Sequence, residues 1–369
     1  MFIIFLSRDI AIPFLNFLFN NSLLPFPVFI RAEQPYIFML IILTFRCYNL
    51  VMKFAYLMYS QKKYTDIVPV VRMLVKQKDH VFIMVNDNKA RDEVTIEFAN
   101  NPYVHISRKL EYAQEGDLSL ARGTMLQMVD AFETEEHFDY FINLTEGMLP
   151  VKPRNEIVEY LQQHPQDHYF IYQRESNNPD LRKQYDRYYV YTNVIGFTNS
   201  WYVRLRARAI SGLINLLNIK RKNQDEVFIG SPWFILTEKT ARVLADNYSY
   251  CSENFKLSRY AEEMCHLMMI NHFIPDNDHI NDDMRVVGPQ GIWEAGHGAR
   301  TITEDVMAKY PDALFGGSFS EKENSELYQS VLKIYNTGYK SVKTEEKKYT
   351  EEEFNEMIAK ISGKKESGD

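Results

Sequence analysis

The first regular segment of the chain reads Lys53-Phe54-Ala55-Tyr56-Leu57-Met58-Tyr59, an apolar run with the length of a buried strand. Apolar residues at helical spacing follow over about 65–76, and residues 81–85 form a second short apolar run of buried-strand type. A strand, a helix and a strand in this order form the unit from which parallel sheets are built. The segment that follows Met52 therefore has the pattern of an α/β protein.

The same alternation continues along the chain. Helices are predicted at 119–132 and 155–163, and strands at 95–98, 103–106, 138–144 and 169–172. After Arg174 the rhythm is less regular, with helices near 203–217, 239–247 and 259–271 and a strand at 233–236. The pattern predicts an α/β fold with a mostly parallel central sheet and helices on both faces.

Ligands of open α/β sheets bind beyond the carboxyl ends of the strands. In this chain those ends are residues 86–88, residues 145–150 and the segment after Tyr172. We therefore expect Asn86 and Thr145 to line a cleft. Trp233 is a third candidate for the cleft wall, although packing in the core is the favoured interpretation of its side chain.

Composition narrows the class of protein. The chain has 369 residues, enough for one large or two medium domains. Its net charge of -7 argues against nucleic acid as a partner, because phosphate binding needs a basic face. The 24 Tyr and 24 Phe residues suit either a cleft that stacks on sugar rings or a large aromatic core. Three cysteines are too few for a disulfide framework, which favours a reducing compartment.

Residues 1–51 form a leader that differs in composition from the rest of the chain. It is either a weak membrane anchor or sequence upstream of a true start at Met52. We favour the second interpretation, because the leader lacks the charge pattern of a signal peptide. That interpretation predicts a cytoplasmic enzyme that can associate with a membrane surface, whereas an anchor predicts a single-pass membrane protein. The main domain is predicted at 52–338, followed by a charged tail at 339–369 that is either a solvated terminus or carries an exposed helix at 350–361.

Four segments stand out together between about Lys53 and Tyr335. They are Phe138-Asp139-Tyr140-Phe141-Ile142-Asn143-Leu144-Thr145, Gly230-Ser231-Pro232-Trp233-Phe234, Ala261-Glu262-Glu263-Met264, and Asp312-Ala313-Leu314-Phe315-Gly316-Gly317-Ser318-Phe319. In this order and spacing the chain resembles the glycosyltransferase family of the branching β-1,6-N-acetylglucosaminyltransferases and the peptide O-xylosyltransferases. Members of that family read Asp-Tyr-Phe-Ile-Asn-Leu-Ser-Gly, Gly-Ser-x-Trp-Phe, Pro-Asp-Glu and Leu-Phe-Ala-Arg-Lys-Phe at the corresponding places.

The resemblance implies a GT-A-like nucleotide-binding fold, inversion at the anomeric carbon of a UDP-sugar, and no cofactor or metal. The glutamate of Pro-Asp-Glu is the catalytic base in the family and maps to Glu263, where Ala261 and Glu262 replace Pro and Asp. An alignment shifted by one residue makes Glu262 the base instead. One carboxylate within about 2.6–3.2 Å of an attacking sugar hydroxyl is what the chemistry requires.

The leaving diphosphate is stabilised by basic side chains in metal-independent members of the family. An arginine in the family's late segment maps to Arg300, in the stretch 298–305 that precedes the fourth segment, whereas the lysine of Leu-Phe-Ala-Arg-Lys-Phe maps to Ser318. Lys322, in the next predicted turn, is the candidate that replaces this lysine.

Acceptor-binding residues of the family fall in the basic, aromatic stretch 174–189. Glu175, Lys183 and Arg187 are the candidates for contacts with sugar hydroxyls. A salt-bridge cluster in a loop is the alternative interpretation of the same three residues.

The leading hypothesis is transfer of N-acetylglucosamine, or xylose, from a UDP-sugar to a hydroxyl of a glycan acceptor. A second is a non-catalytic relative that binds a sugar or nucleotide sugar, which Ser318 at the lysine position supports. A third is a metal-dependent GT-A transferase of another family. It would use Asp276 and Asp278, whose Asp-x-Asp spacing can hold a divalent metal under a diphosphate. We favour a simple turn there, since Asp and Asn are common turn residues.

Overall fold

The computed structural model of the protein describes residues 52–60, 63–107, 111, 118–145, 147–164, 168–169, 173–176, 178–190, 200–275, 279–287 and 302–339. The strands are β1 (Phe54–Ser60), β2 (His80–Val85), β3 (Val104–Ile106), β4 (Tyr140–Thr145), β5 (Leu149–Pro150), β6 (His168–Tyr169), β7 (Gln173–Ser176), β8 (Phe228–Gly230), β9 (Ile235–Thr237), β10 (His279–Ile280), β11 (Arg285–Val287) and β12 (Phe315–Gly317). The helices are α1 (Tyr64–Val75), α2 (Asn88–Glu97), α3 (Ser119–Phe132), α4 (Arg154–Gln163), α5 (Pro179–Asp186), α6 (Trp201–Leu216), α7 (Glu238–Asp246), α8 (Tyr248–Phe255), α9 (Ala261–Phe273), α10 (Glu304–Ala308) and α11 (Ser325–Ile334).

A seven-stranded sheet forms the centre of the fold, in the order β10-β6-β9-β4-β1-β2-β3. β1 lies between β2 and β4 and is parallel to both, with Tyr56 aligned with Val81 on one side and with Ile142 on the other. β9 is antiparallel to its neighbours β4 and β6. The predicted α/β fold with a mostly parallel central sheet and flanking helices is confirmed. The antiparallel β9 makes the sheet mixed.

Side chains of β1 alternate between two hydrophobic cores, because successive residues of a strand point to opposite faces. Phe54, Tyr56 and Met58 pack on one side with residues of α1, α4 and α11. Ala55 and Leu57 pack on the other side with residues of α3, α7, α8 and α9. Burial on both faces explains why this strand is a continuous apolar run and shows no polar alternation.

A buried polar network joins the segment after α11 to the sheet. Arg154, the first residue of α4, donates to both carboxylate oxygens of Asp79 through Nε and Nη2, each at 2.6 Å. Tyr335 donates its hydroxyl to the same carboxylate at 2.6 Å, and that hydroxyl lies 2.8 Å from the hydroxyl of Tyr56 on β1. Because buried charges are stable only when paired and hydrogen-bonded, this network fixes Tyr335 against β1.

The predicted strand at 95–98 is wrong, because residues 95–97 form the last turn of α2. The helix begins after Asp87, whose Oδ1 accepts a hydrogen bond from the backbone N of Ala90 at 2.7 Å. The run Thr95-Ile96-Glu97-Phe98 is too short for alternation alone to distinguish a strand from a helix end. Of the strand predicted at 169–172, Tyr169 lies in β6 and residues 170–172 lie outside the described residues.

The carboxyl ends of β1, β2 and β4 meet at one edge of the central sheet. Ser60 aligns with Val85, and Tyr59 aligns with Thr145. The described residues also form two smaller sheets, β11-β12-β5 and β7-β8. β5 follows β4 directly, so the first small sheet begins where β4 ends.

None of the helices in the described part of the chain is long and apolar enough to span a bilayer. By its internal contacts the chain divides into residues 1–337 and 338–369. The leader at 1–51 and residues 340–369 of the tail, including the helix that the sequence indicates there, lie outside the described residues.

Candidate active site

The side chain of Asn143 holds two of the four sequence segments together. Its Nδ2 donates to the carbonyl oxygen of Pro232 at 2.9 Å, and its Oδ1 accepts from the backbone N of Phe234 at 2.7 Å. The hydroxyl of Ser231 accepts from the backbone N of Trp233 at 3.1 Å, which tightens the turn between these contacts. Asn143 therefore fixes the segment 230–234 against the end of β4.

Arg285 on β11 also forms hydrogen bonds with both of these segments. Its Nη2 donates to the carbonyl oxygens of Asn143 at 3.0 Å and Phe234 at 2.9 Å, and its Nη1 donates to the carbonyl oxygen of Asp283 at 2.8 Å. The guanidinium is buried and lies 5.3 Å from the centre of the Phe315 ring on β12. With these donors committed to backbone carbonyls, Arg285 acts as a positioning residue for the end of β4.

Asp283 and Arg285 form a buried pair of opposite charge beside this segment. Burial lowers the pKa of Arg285 to about 10, and the charge of Asp283 opposes that effect. Burial likewise raises the pKa of Asp283, against the nearby charge of Arg285 and a hydrogen bond with Ser231. Neither residue belongs to a motif, and the sequence shows only that both are charged residues beside apolar ones in the run Asp283-Met284-Arg285-Val286-Val287.

The fourth segment, 312–319, also lies against the end of β4. β12 is antiparallel to β5, with Gly316 aligned with Leu149, and the backbone N of Phe319 donates to the carbonyl oxygen of Gly147 at 2.7 Å. A Cβ atom on Gly147 would lie 2.6 Å from the hydroxyl of Ser318. Ser318, the residue at the family's lysine position, therefore stands directly beside residue 147.

The third segment begins α9, whose first ten residues are all buried. Glu262 and Glu263 lie in its first turn and are 4% and 2% exposed. The sequence predicts their position at a helix start but does not indicate that both carboxylates are buried. α9 packs on β8, immediately before the segment 230–234, and the ring of His266 lies 5.0 Å from that of Phe234.

The start of α9 has an unusual backbone conformation. Tyr260, the N-cap residue, has φ +57° and ψ +36°, in the left-handed region. The backbone N of Glu263 donates to the carbonyl oxygen of Tyr260 at 3.1 Å. Ala261 is thus fixed as the first helical residue, and Glu263 as the third.

Comparison with known proteins identifies the family. A family model described as Core-2/I-Branching enzyme matches residues 54–287, which is more than half of the chain. The chain belongs to the Core-2/I-branching enzyme family. No curated protein sequence matches the chain significantly. As a Core-2/I-branching enzyme the protein is a glycosyltransferase with a GT-A-like fold, and its substrates are a sugar donor and an acceptor.

In this Core-2/I-branching enzyme the predicted cleft residues fall at different depths. Asn86 and Thr145 are partly exposed and lie at the carboxyl ends of β2 and β4, where the backbone N of Asn86 donates to the carbonyl oxygen of Ser60 at 3.0 Å. Trp233 is 5% exposed and packs in the same hydrophobic core as α1 and α11. Asn86 and Thr145 are therefore at the sheet edge, and Trp233 is in the interior beside it.

The acceptor candidates lie on β7 and at the end of α5. Glu175 aligns with Ile229 of β8, and its side chain is outside the described part of the structure. Lys183 is exposed in the last turn of α5, and Arg187 is partly exposed directly after that helix. On the same helix Nε of Arg182 lies 2.9 Å from Oδ1 of Asp186, a salt bridge between neighbours of the two candidates. Acceptor binding by Glu175, Lys183 and Arg187 stays a prediction.

The donor candidates lie outside the range that the family model matches. Arg300 falls in 288–301, which the structure does not describe. Lys322 is exposed in the turn between β12 and α11, four residues after Ser318. Among the described residues no three His, Cys, Asp or Glu side chains are grouped as a metal site, and Asp276 and Asp278 lie outside them.

Proposed function

We propose that this Core-2/I-branching enzyme transfers N-acetylglucosamine, or xylose, from a UDP-sugar to a glycan hydroxyl, with inversion and without a metal ion. The acceptor oxygen forms a bond to the anomeric carbon while the bond from that carbon to the diphosphate oxygen breaks. Glu263 takes the proton of the hydroxyl, and UDP leaves with the electron pair. Attack from the side opposite the leaving group inverts the anomeric configuration.

The backbone conformation before α9 is the observation that favours Glu263 over Glu262. If Glu262 were the base, the proline of the family's Pro-Asp-Glu would fall on Tyr260, whose φ is +57°. Proline is restricted to φ of about −65° and does not fit that conformation. With Glu263 as the base, the proline falls on Ala261, the first residue of the helix, where proline is favoured.

The burial of Glu263 is compatible with a base that serves transfer. A carboxylate held out of bulk water activates the hydroxyl of a bound sugar in preference to a water molecule, which limits hydrolysis of the donor. General-base assistance of this kind typically increases a rate by about 10²–10⁴-fold. For Glu263 to act as the base, the acceptor hydroxyl must therefore reach the first turn of α9.

Stabilisation of the leaving diphosphate is assigned to Arg300 and Lys322. Cationic side chains placed where charge develops lower the barrier in the manner of an oxyanion hole. Ser318 next to Gly147 offers only a neutral hydroxyl at the family's lysine position. This departure favours a second candidate function, a relative that binds a nucleotide sugar without transferring it.

The test is release of UDP from UDP-N-acetylglucosamine and from UDP-xylose, with a panel of glycan acceptors, with and without EDTA. We expect acceptor-dependent release from one donor that EDTA does not change, and a loss of release in Arg300→Ala. Activity that EDTA abolishes and a divalent metal restores would replace this proposal with a metal-dependent mechanism. Saturable UDP binding without release from either donor would favour the non-catalytic function.

A further inference from the structure

Helix α6 presents an apolar face to solvent. Its outward residues include Trp201, which is 73% exposed, and Leu216, which is 81% exposed. The other large apolar side chains exposed on the helix and directly after it are Tyr202, Val203, Leu205, Ile210, Leu213, Leu217 and Ile219. At about 3.6 residues per turn these positions cover more than half of the circumference of the helix.

Within the described part of the chain, only a narrow strip of α6 faces the rest of the protein. Ala207 and Ser211, one turn apart, are its buried residues, and the hydroxyl of Ser211 donates back to the carbonyl oxygen of Ala207 at 2.9 Å. A surface helix of a soluble domain normally buries its apolar stripe and exposes its polar one. α6 does the reverse, since its small residues face inward and its large apolar residues face outward.

The charged residues in the stretch of sequence that carries this face are all basic. From residue 187 to residue 224 the sequence contains no Asp or Glu, although the whole chain has a net charge of -7. Four exposed cations accompany the apolar residues: Arg206 and Arg208 on the helix, and Lys220 and Lys222 just after it. The guanidinium of Arg206 lies 5.1 Å from the centre of the Tyr202 ring, so this cation packs against one of the apolar residues of the face.

We infer that α6 docks this enzyme on an anionic lipid surface, lying in the plane of the interface. Helices that bind in this way combine a broad apolar face rich in Trp, Phe and Leu with Lys and Arg beside it. Trp and Tyr at one end of the helix match the preference of these side chains for the headgroup level. With 16 residues, and about 24 Å of length, the helix is too short to cross a bilayer.

A second copy of the chain is the competing occupant of this face, and charge decides between the two. Two copies meeting through α6 would bring like charges together at the contact, because no carboxylate lies between residues 187 and 224. Anionic headgroups instead neutralise Arg206, Arg208, Lys220 and Lys222 while the acyl region covers the apolar face.

The test is flotation of the full-length protein with vesicles of phosphatidylcholine alone and of phosphatidylcholine mixed about three to one with phosphatidylglycerol. We expect binding to the mixed vesicles that weakens as salt rises, and much less binding to the neutral ones. The triple variant Leu205→Ser, Leu213→Ser and Leu216→Ser should bind the mixed vesicles at least about tenfold more weakly. Ile96→Ser on α2, where the side chain is 78% exposed, is the matched control and should bind as the wild type does.

All four substituted side chains are exposed, so the variants should keep the thermal midpoint of the wild type. Equal vesicle binding by the wild type and the triple variant would overturn the inference. So would a wild-type dimer that the triple variant dissociates, with no binding to either kind of vesicle. These results concern α6 alone and are independent of whether UDP is released from any donor.

Discussion

Replacement of Arg285 by methionine tests whether the end of β4 is held as the structure indicates. Met has a similar length and can keep the apolar contact with Phe315, but it removes the donors that reach the carbonyl oxygens of Asn143, Phe234 and Asp283. A buried acceptor that loses its partner costs about 1–3 kcal/mol. Partial relaxation and entry of water reduce the sum of three such costs.

The unpaired charge of Asp283 is part of the same cost, because the variant leaves a buried carboxyl group without its cation. Breaking one side of a buried charged pair typically costs about 3–5 kcal/mol. We therefore expect Arg285→Met to lower the free energy of unfolding by about 3–5 kcal/mol. The double variant Arg285→Met with Asp283→Asn should recover about 0.5–3 kcal/mol of that loss, since the two groups are coupled.

The assay is urea unfolding followed by tryptophan fluorescence and circular dichroism, with the midpoint and the slope determined separately. Arg72→Met is the control, because Arg72 pairs with Glu97 at the surface and exposed ion pairs contribute little. A midpoint for Arg285→Met no lower than that of the control would refute the positioning role. Strict additivity of the two substitutions in the double variant would refute the coupling to Asp283.

Three further outcomes follow from the buried groups and close contacts. Arg154→Met should lower the free energy of unfolding in urea by about 3–5 kcal/mol, because it removes the partner of the buried Asp79 carboxylate. The double variant with Asp79→Asn should recover part of that loss. Additive losses would contradict the pairing of Arg154 with Asp79. Burial lowers the pKa of His266 to about 4, so below pH 6.5 the unfolded state binds more protons than the folded state. The free energy of unfolding should therefore fall by about 2 kcal/mol when the pH is lowered from 7.5 to 5. His266→Leu should show a smaller fall. Gly317→Ala should cost about 1–3 kcal/mol by thermal unfolding, because its Cβ would lie 3.1 Å from the backbone of residues 147 and 148. Gly212→Ala, with open space around it in α6, should instead stabilise by about 0.5–1 kcal/mol, and equal effects of the two would contradict the packing.

The fold could be predicted where burial leaves a clear pattern of apolar residues in the sequence. Phe54-Ala55-Tyr56-Leu57 is apolar at every position because both faces of β1 are covered, and this pattern has few alternative interpretations. The run 95–98 is ambiguous because four residues cover only about one turn of a helix, or two repeats of strand alternation. There the deciding contact is the N-cap at Asp87, which lies eight residues before Thr95, the first residue of the predicted strand.

The site could be predicted only as far as its motifs extend. Asn143 and Glu263 lie in segments that resemble motifs of the family, so the sequence alone could identify the segments that contain them. Arg285 could not, because its role comes from contacts with residues 142 and 51 positions away along the chain. Contacts at such separations depend on the folded arrangement of β4, β9 and β11 and leave no local pattern. The sequence likewise does not show that the apolar face of α6 points outward, since helical spacing indicates that a helix is amphipathic but not which face is buried.

The most direct test of the central claim compares Glu263→Gln with Glu262→Gln in the UDP-release assay at saturating donor and acceptor. Both side chains are buried in the same helix turn, so the two variants perturb the fold to a similar extent. We expect Glu263→Gln to lower kcat by about 10²–10⁴-fold with UDP affinity unchanged, and Glu262→Gln to retain most of its activity. Full activity in Glu263→Gln, or a loss confined to Glu262→Gln, would contradict the assignment of Glu263 as the base.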